Sequence, residues 1–147
     1  MRKFLLGLVV LSSGLLHGCA TVQVEGKPQE RIIEVEGVEK NTLYVRANSW
    51  MVDAFNDRES VVQFTDKESG TVKGRYVLRK GDSPAGFHYA TIDVRVKDEV
   101  TKITVTPNPY TYGKGNPRAY KKEQMEKDIN KLFNSFESSI KTAEEKW

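Results

Sequence analysis

Reactive side chains are scarce in this chain of 147 residues, and the scarcity limits its chemistry. It has two histidines, His17 and His88, and one cysteine, Cys19. A Ser-His-Asp or Cys-His triad needs an imidazole held against a nucleophile. Beyond residue 19 only His88 offers one, and no serine stands in a nucleophile-elbow setting. A His/Cys zinc site needs three or four such ligands and cannot be assembled. Asp66-Lys67-Glu68 is too short for a calcium loop and reads as a solvated turn. Gly113-Lys114-Gly115 lacks the spacing of a phosphate loop. Asp57 and Glu59 form a carboxylate pair of the kind used in acid-base catalysis, but their polar surroundings give no sign of burial. The expectation is no catalytic residue, no metal and no cofactor. His88 alternates with Ala90 and Ile92 and should point inward, toward the helices described below.

Cys19 needs its context. Met1-Arg2-Lys3 is followed by the apolar run 4–11, and then by Leu16-His17-Gly18-Cys19. A basic start, a short apolar middle and a small residue at the cut site describe a secretory signal peptide. The apolar stretch is well short of the roughly 20 residues of a membrane span. The Leu-x-Gly triplet before Cys19 resembles the lipobox of bacterial lipoproteins, whose cysteine is acylated through sulfur, for example with palmitate, and becomes the new N-terminus. That resemblance implies a membrane partner through lipid on Cys19. Ala20 at the following position, where aspartate would signal retention, implies the outer membrane, facing the periplasm, in a Gram-negative cell. With residues 1–18 removed, 129 residues remain, enough for one domain with its own core. Arg2 and Lys3 go with the signal, so the formal net charge falls from +3 to +1. A nearly neutral exported domain is not a dedicated nucleic-acid binder.

The elements that must position any site follow from periodicity. Residues 19–30 read as a lipidated tether, since Gly26 and Pro28 oppose regular structure, and 31–147 as the folded domain. Residues 31–36 alternate and are β-branched, which predicts a first strand. Leu43, Ala47, Trp50, Met51, Ala54 and Phe55 fall on one helical face over 41–56, with Asn41 as N-cap. Four strands are expected at 61–65, 71–78, 87–97 and 101–106. Asp66 to Gly70 should close a hairpin. Residues 107–115 read as a loop, ended by Asn116-Pro117 at the start of a second helix of about 30 residues. Met125, Ile129, Leu132, Phe133, Phe136, Ile140, Ala143 and Trp147 form that helix's apolar stripe. The order β-α-β-β-β-β-α, with one apolar face per element, gives a two-layer α+β domain: an antiparallel sheet with both helices on one side.

The run 43–55, from Leu43 through Trp50 to Phe55, together with 61–74, with its strand, Asp66-to-Gly70 turn and Gly74, resembles a domain-of-unknown-function family of bacterial envelope proteins. The resemblance covers roughly residues 30 to 106 and implies a TATA-binding-protein-like (TBP-like) fold. The family brings no established activity, and kinship of fold with a DNA binder implies nothing about DNA.

The sheet face turned away from the helices should carry Glu34, Glu36, Gln63, Lys73, Arg75, Arg79, Phe87, Tyr89, Asp93, Arg95, Lys97, Lys102 and Thr104. Two readings compete. One is a solvated face laced by cross-strand ion pairs. The other is a docking surface for a protein or anionic envelope partner, with Lys73, Arg75, Arg79, Phe87, Tyr89 and Arg95 as its candidate residues. Phe87 and Tyr89 motivate the second, because solvation alone does not require them. Tyr110, Tyr112, Lys114, Arg118, Tyr120, Lys121 and Lys122 form a smaller aromatic and basic group of a kind that touches glycan or phospholipid headgroups, but it reads first as a plain connection before a helix. The expected function is a lipid-anchored, non-catalytic binding or adaptor domain. The alternatives are an assembly factor acting through the C-terminal helix and a small periplasmic enzyme.

Overall fold

The computed structural model describes residues 21–24, 26–56, 60–80, 87–108, 110–113 and 120–142. Its centre is a meander of three long strands: β4 (Thr71–Arg79), β5 (His88–Lys97) and β6 (Val100–Pro107). Ala90, Ile92, Val94 and Val96 of β5 alternate inward and are at most 1% exposed, as are Ile103 and Val105 of β6. Strand β2 (Gln29–Glu34) adds to β6, and β3 (Val61–Asp66) adds to β4. The five-stranded sheet runs β2-β6-β5-β4-β3, with every pair antiparallel.

Two tight turns set the registers. Asp66 Oδ1 accepts the N–H groups of Glu68 (2.9 Å) and Ser69 (3.3 Å), and Gly70 follows at φ +70°. This is the Asp-to-Gly hairpin that the sequence predicts, with the aspartate bonding the backbone two and three residues on. The Ser69 side chain first, and then its backbone N–H, hold the Asp66 carboxyl below its usual pKa. Asp98-Glu99 turns β5 into β6, with Glu99 in the left-handed region at φ 61°.

Helix α1 (Lys40–Ala54) buries Leu43, Ala47, Trp50 and Met51, the stripe read from the sequence. Its expected N-cap, Asn41, instead lies inside the first turn. Glu39 holds the cap position without a side-chain bond, and the Lys40 N–H is taken by Asp98 Oδ1 at 2.8 Å. The cap therefore comes from the distant β5–β6 turn, which no local pattern announces. Helix α2 (Lys122–Lys141) is 20 residues long, shorter than the 30 expected, and spans about 30 Å. The predicted start at Asn116-Pro117 lies outside the described residues.

Both helices pack on one side of the sheet in a single core. Trp50 and Phe136 meet edge to face at 4.8 Å, and the indole N–H donates to Ser135 Oγ at 3.1 Å. Arg46 Nη1 donates to the Ile140 carbonyl (2.8 Å) and so caps the C-terminal turn of α2. Arg31 of β2 donates to Asn134 (2.8 Å) and Glu137 (3.2 Å), and its guanidinium lies over Phe133.

The stretch read as a tether is partly folded. Thr21–Val24 forms strand β1 and pairs with Tyr110–Gly113, strand β7, inside the segment read as a loop. Both segments are short, but each is rich in β-branched or aromatic residues, which favour strands once a partner is in reach. Strand β2 likewise starts at Gln29 rather than Arg31. Among the described residues, no helix is long and apolar enough to cross a membrane.

Candidate binding face

Register determines what the outer face of the sheet displays. Lys73, Asp93, Thr104 and Glu30 are ladder partners across four strands, with Phe64 at the β3 end of the row. The next row toward the Asp98-Glu99 turn runs Asp66, Thr71, Arg95, Lys102 and Ile32. On the other side, Val61, Arg75, Thr91 and Thr106 align, followed by Val77 with Tyr89.

Two bulges make this face differ from strict alternation. The β3–β4 register shifts between Val62 and Phe64, so Gln63 is the extra residue and Phe64 takes the outer position expected for it. The β4–β5 register shifts between Val77 and Arg79. Arg79 therefore pairs with His88 on the helix side, and its guanidinium lies 5.5 Å from the Tyr120 ring. Arg79 does not belong to the outer face. Lys73, Arg75, Tyr89 and Arg95 do, and Phe87 packs against Tyr89 with ring centroids 6.4 Å apart. Exposed apolar side chains on this face escaped the sequence reading: Ile32 (64% exposed), Val61 (44%) and Phe64 (49%). Ile32 was detectable in principle, because adjacent Ile32 and Ile33 in a strand cannot both face the core.

Most charges here are already paired. Asp93 binds Lys73 at 2.8 Å and Arg95 at 3.3 Å. Glu30 accepts from the Thr104 hydroxyl at 3.0 Å and pairs with Lys102 at 3.3 Å; the Thr104 bond first, then Lys102, lowers its pKa. Arg75 differs. Its guanidinium lies over Tyr89, 4.9 Å from the ring centroid, and its Nε is buried without a hydrogen-bond partner.

Elsewhere, His88 stacks on Tyr120 at 4.7 Å, on the helix side as expected, and the Tyr120 hydroxyl donates to Asp128 at 3.0 Å. Burial, and then the nearby Arg79, lower the His88 pKa. At the far end of the sheet, Glu34, Glu36, Asp98 and Glu99 line a cavity of about 400 Å³. Asp98 is committed to α1, and Glu99 accepts the Gly37 N–H at 2.9 Å, so half of this acidic group serves the backbone. No group of three or more His, Cys, Asp or Glu side chains suited to a metal ion occurs among the described residues. Cys19, Asp57, Glu59, Lys114, Arg118, Ala143 and Trp147 lie outside them.

With this architecture in place, residues 30–110, more than half of the chain, match a family model described as a domain of unknown function with TBP-like fold, DUF4468. The chain belongs to the DUF4468 family. The matched span runs from β2 to the start of β7 and includes Trp50, Phe55, Asp66, Gly70 and Gly74, the residues on which the resemblance rests. Two solved structures share the DUF4468 chain's fold. A DUF4468 family protein from Bacteroides ovatus is 11% identical with a TM-score of 0.57, covering 83% of this chain and 90% of its own. A TBP-like protein from Parabacteroides distasonis is 15% identical with a TM-score of 0.56, covering 80% and 94%. At such identities the likeness concerns fold alone. No curated protein matches the chain.

Proposed function

We propose that this DUF4468 protein is a lipid-anchored, non-catalytic binding domain of the bacterial envelope, working through the outer face of its sheet. The carrying observation is where its exposed apolar groups collect. Of five large hydrophobic residues exposed among the described ones, three (Ile32, Val61 and Phe64) lie on this face, beside Phe87 and Tyr89. Such a collection on a sheet crossed by arginines has the composition of a protein interface, where aromatics and arginine are enriched. The anchor is acyl lipid on Cys19, which at roughly 0.8 kcal/mol per buried CH₂ holds the domain on a leaflet once two or more chains are attached. By the residue after Cys19, that leaflet belongs to the outer membrane of a Gram-negative cell.

Action through α2 has less support. Met125, Ile129, Leu132, Phe133, Phe136 and Ile140 are all buried, so the helix has no apolar surface left for a partner. The test is photocrosslinking from position 89 in intact cells, followed by mass spectrometry. A discrete protein adduct, lost when Phe87 and Val61 are changed to serine in a folded protein, supports the reading. Absence of any adduct from folded, lipidated protein returns this face to solvent and refutes it.

A further inference from the structure

Resting on the sheet-face reading above, we propose that Arg75 anchors a carboxylate carried by an extended segment of a partner protein, between apolar side chains that seat on Val61, Phe64 and Tyr89. The argument begins with unequal pairing. Lys73 and Arg95 share Asp93, and Lys102 holds Glu30. Arg75, in the middle of the same face, has no carboxylate partner among the described residues, and its Nε–H is removed from water without an acceptor. Its two Nη groups are not buried in this way and hold no hydrogen bond among the described residues, so they are the edge of the guanidinium left open to an acceptor.

The tyrosine gives the guanidinium its orientation. Lying over the Tyr89 ring at 4.9 Å, its flat fork has a fixed plane, and a fixed fork suits two-pronged binding of a carboxylate. An arriving carboxylate meets the two Nη groups end-on and supplies the negative charge that this face does not provide at that point.

Spacing argues for polypeptide. Phe64, the ladder partner of Lys73, and Tyr89, that of Val77, are the diagonal neighbours of Arg75 on its two sides, each roughly 7–8 Å away. Alternate side chains of an extended chain recur every 6.6–6.8 Å or so, which lets one acidic residue meet Arg75 while residues two places away meet apolar groups. The surface is one face of an open sheet, better shaped for a strand laid across it than for enclosing a small molecule.

The experiment uses the full chain in a non-ionic detergent, with benzoylphenylalanine replacing Phe64. Two pools of capped heptapeptides serve as probes, with central pattern Phe-x-Glu-x-Phe or Phe-x-Gln-x-Phe. The expected result is at least ten-fold more crosslinking by the Glu pool. That preference should vanish in Arg75→Gln and be reduced in Arg75→Lys, which keeps the charge but loses the fork. Equal yields from the two pools in otherwise unaltered protein overturn the inference while leaving the sheet-face reading intact, and they do so without reference to any Arg75 variant. A preference that survives Arg75→Gln overturns it in the same way. Crosslinks only to a second copy, or only to added phosphatidylglycerol vesicles, overturn the choice of occupant. If no probe attaches and position 89 gives no adduct in cells, both readings fall.

Discussion

Replacing Gly74 by alanine tests how closely the sheet and α1 meet. Gly74 lies on the helix side of β4. A Cβ added there overlaps Phe55 Cε2, and stands 2.9 Å from Phe55 Cζ and 2.9 Å from the Val61 carbonyl oxygen. The ring has little room to yield, since Phe55 is 9% exposed and packs on Tyr76 with centroids 5.4 Å apart. Overpacking of this kind costs roughly 1–3 kcal/mol. Alanine recovers about 0.5–1 kcal/mol over glycine in a strand. The net expectation is a loss of about 1–2 kcal/mol, seen as a lower urea midpoint at unchanged slope. Phe55→Val removes the offending ring atoms at a cost of its own of about 2–3 kcal/mol. In that background Gly74→Ala should be nearly neutral, with only the Val61 carbonyl still close, giving a coupling of about 1–2 kcal/mol in the double-mutant cycle. An equal cost in both backgrounds refutes the argument, as does a stabilised single variant.

Asp98→Ala removes the acceptor for the Lys40 N–H and an anion at the start of α1; the expected loss is about 1 kcal/mol by chemical denaturation. The folded-state pKa of His88 lies below its ordinary value, so the unfolded chain binds the proton more readily. That contribution is fully present above the unfolded value, near pH 6.5, and is lost as pH falls through the folded one. His88→Phe, which keeps a ring against Tyr120, should flatten the fall in melting temperature from about pH 7 to pH 5. A profile of unchanged steepness would exclude His88 as its source. Cys19→Ser should move the protein from the membrane fraction to the soluble one, read by fractionation of cells expressing the full chain; retention on membranes would remove the lipid anchor.

Legibility followed the scale of the interaction. The helix stripes and the β5 alternation were readable because burial repeats with the period of the backbone: Leu43, Ala47, Trp50 and Met51 on α1, Ala90 to Val96 on β5. The Asp66-to-Gly70 turn was readable because its bonds lie within four residues. What escaped was non-local or depended on a single extra residue. The bulge at Gln63 exchanges Phe64 for Gln63 on the outer face, and the shift near Leu78 sends Arg79 to Tyr120. Either slip inverts every assignment beyond it, and nothing in the side-chain pattern requires one. The Asp98 cap joins residues 58 apart in sequence, and the pairing of β1 with β7 spans nearly the whole domain. The isolation of Arg75 depends on where Asp93 and Glu30 spend their charge, which is a matter of three-dimensional neighbours.

The strand order has a consequence for how the chain acquires its shape. Strand β2 is the first of the five to be synthesised, yet its only sheet neighbour is β6, the last, and Glu30 and Lys102 lie 72 residues apart. The β3 to β6 meander closes through short loops, whereas β2 must await the whole of it. Loop closure over that span is slow and entropically costly, so β2 joins late. Until then Gln29–Glu34 is an unpaired strand containing two consecutive isoleucines, a segment open to mispairing. Glu30, Arg31 and Glu34 flank that apolar pair with charge, the device by which unfinished chains resist aggregation. In the native domain Glu30 holds Lys102 and Thr104, and Arg31 holds α2. Three charged side chains thus guard the nascent chain, and two of them, Glu30 and Arg31, fasten the finished one.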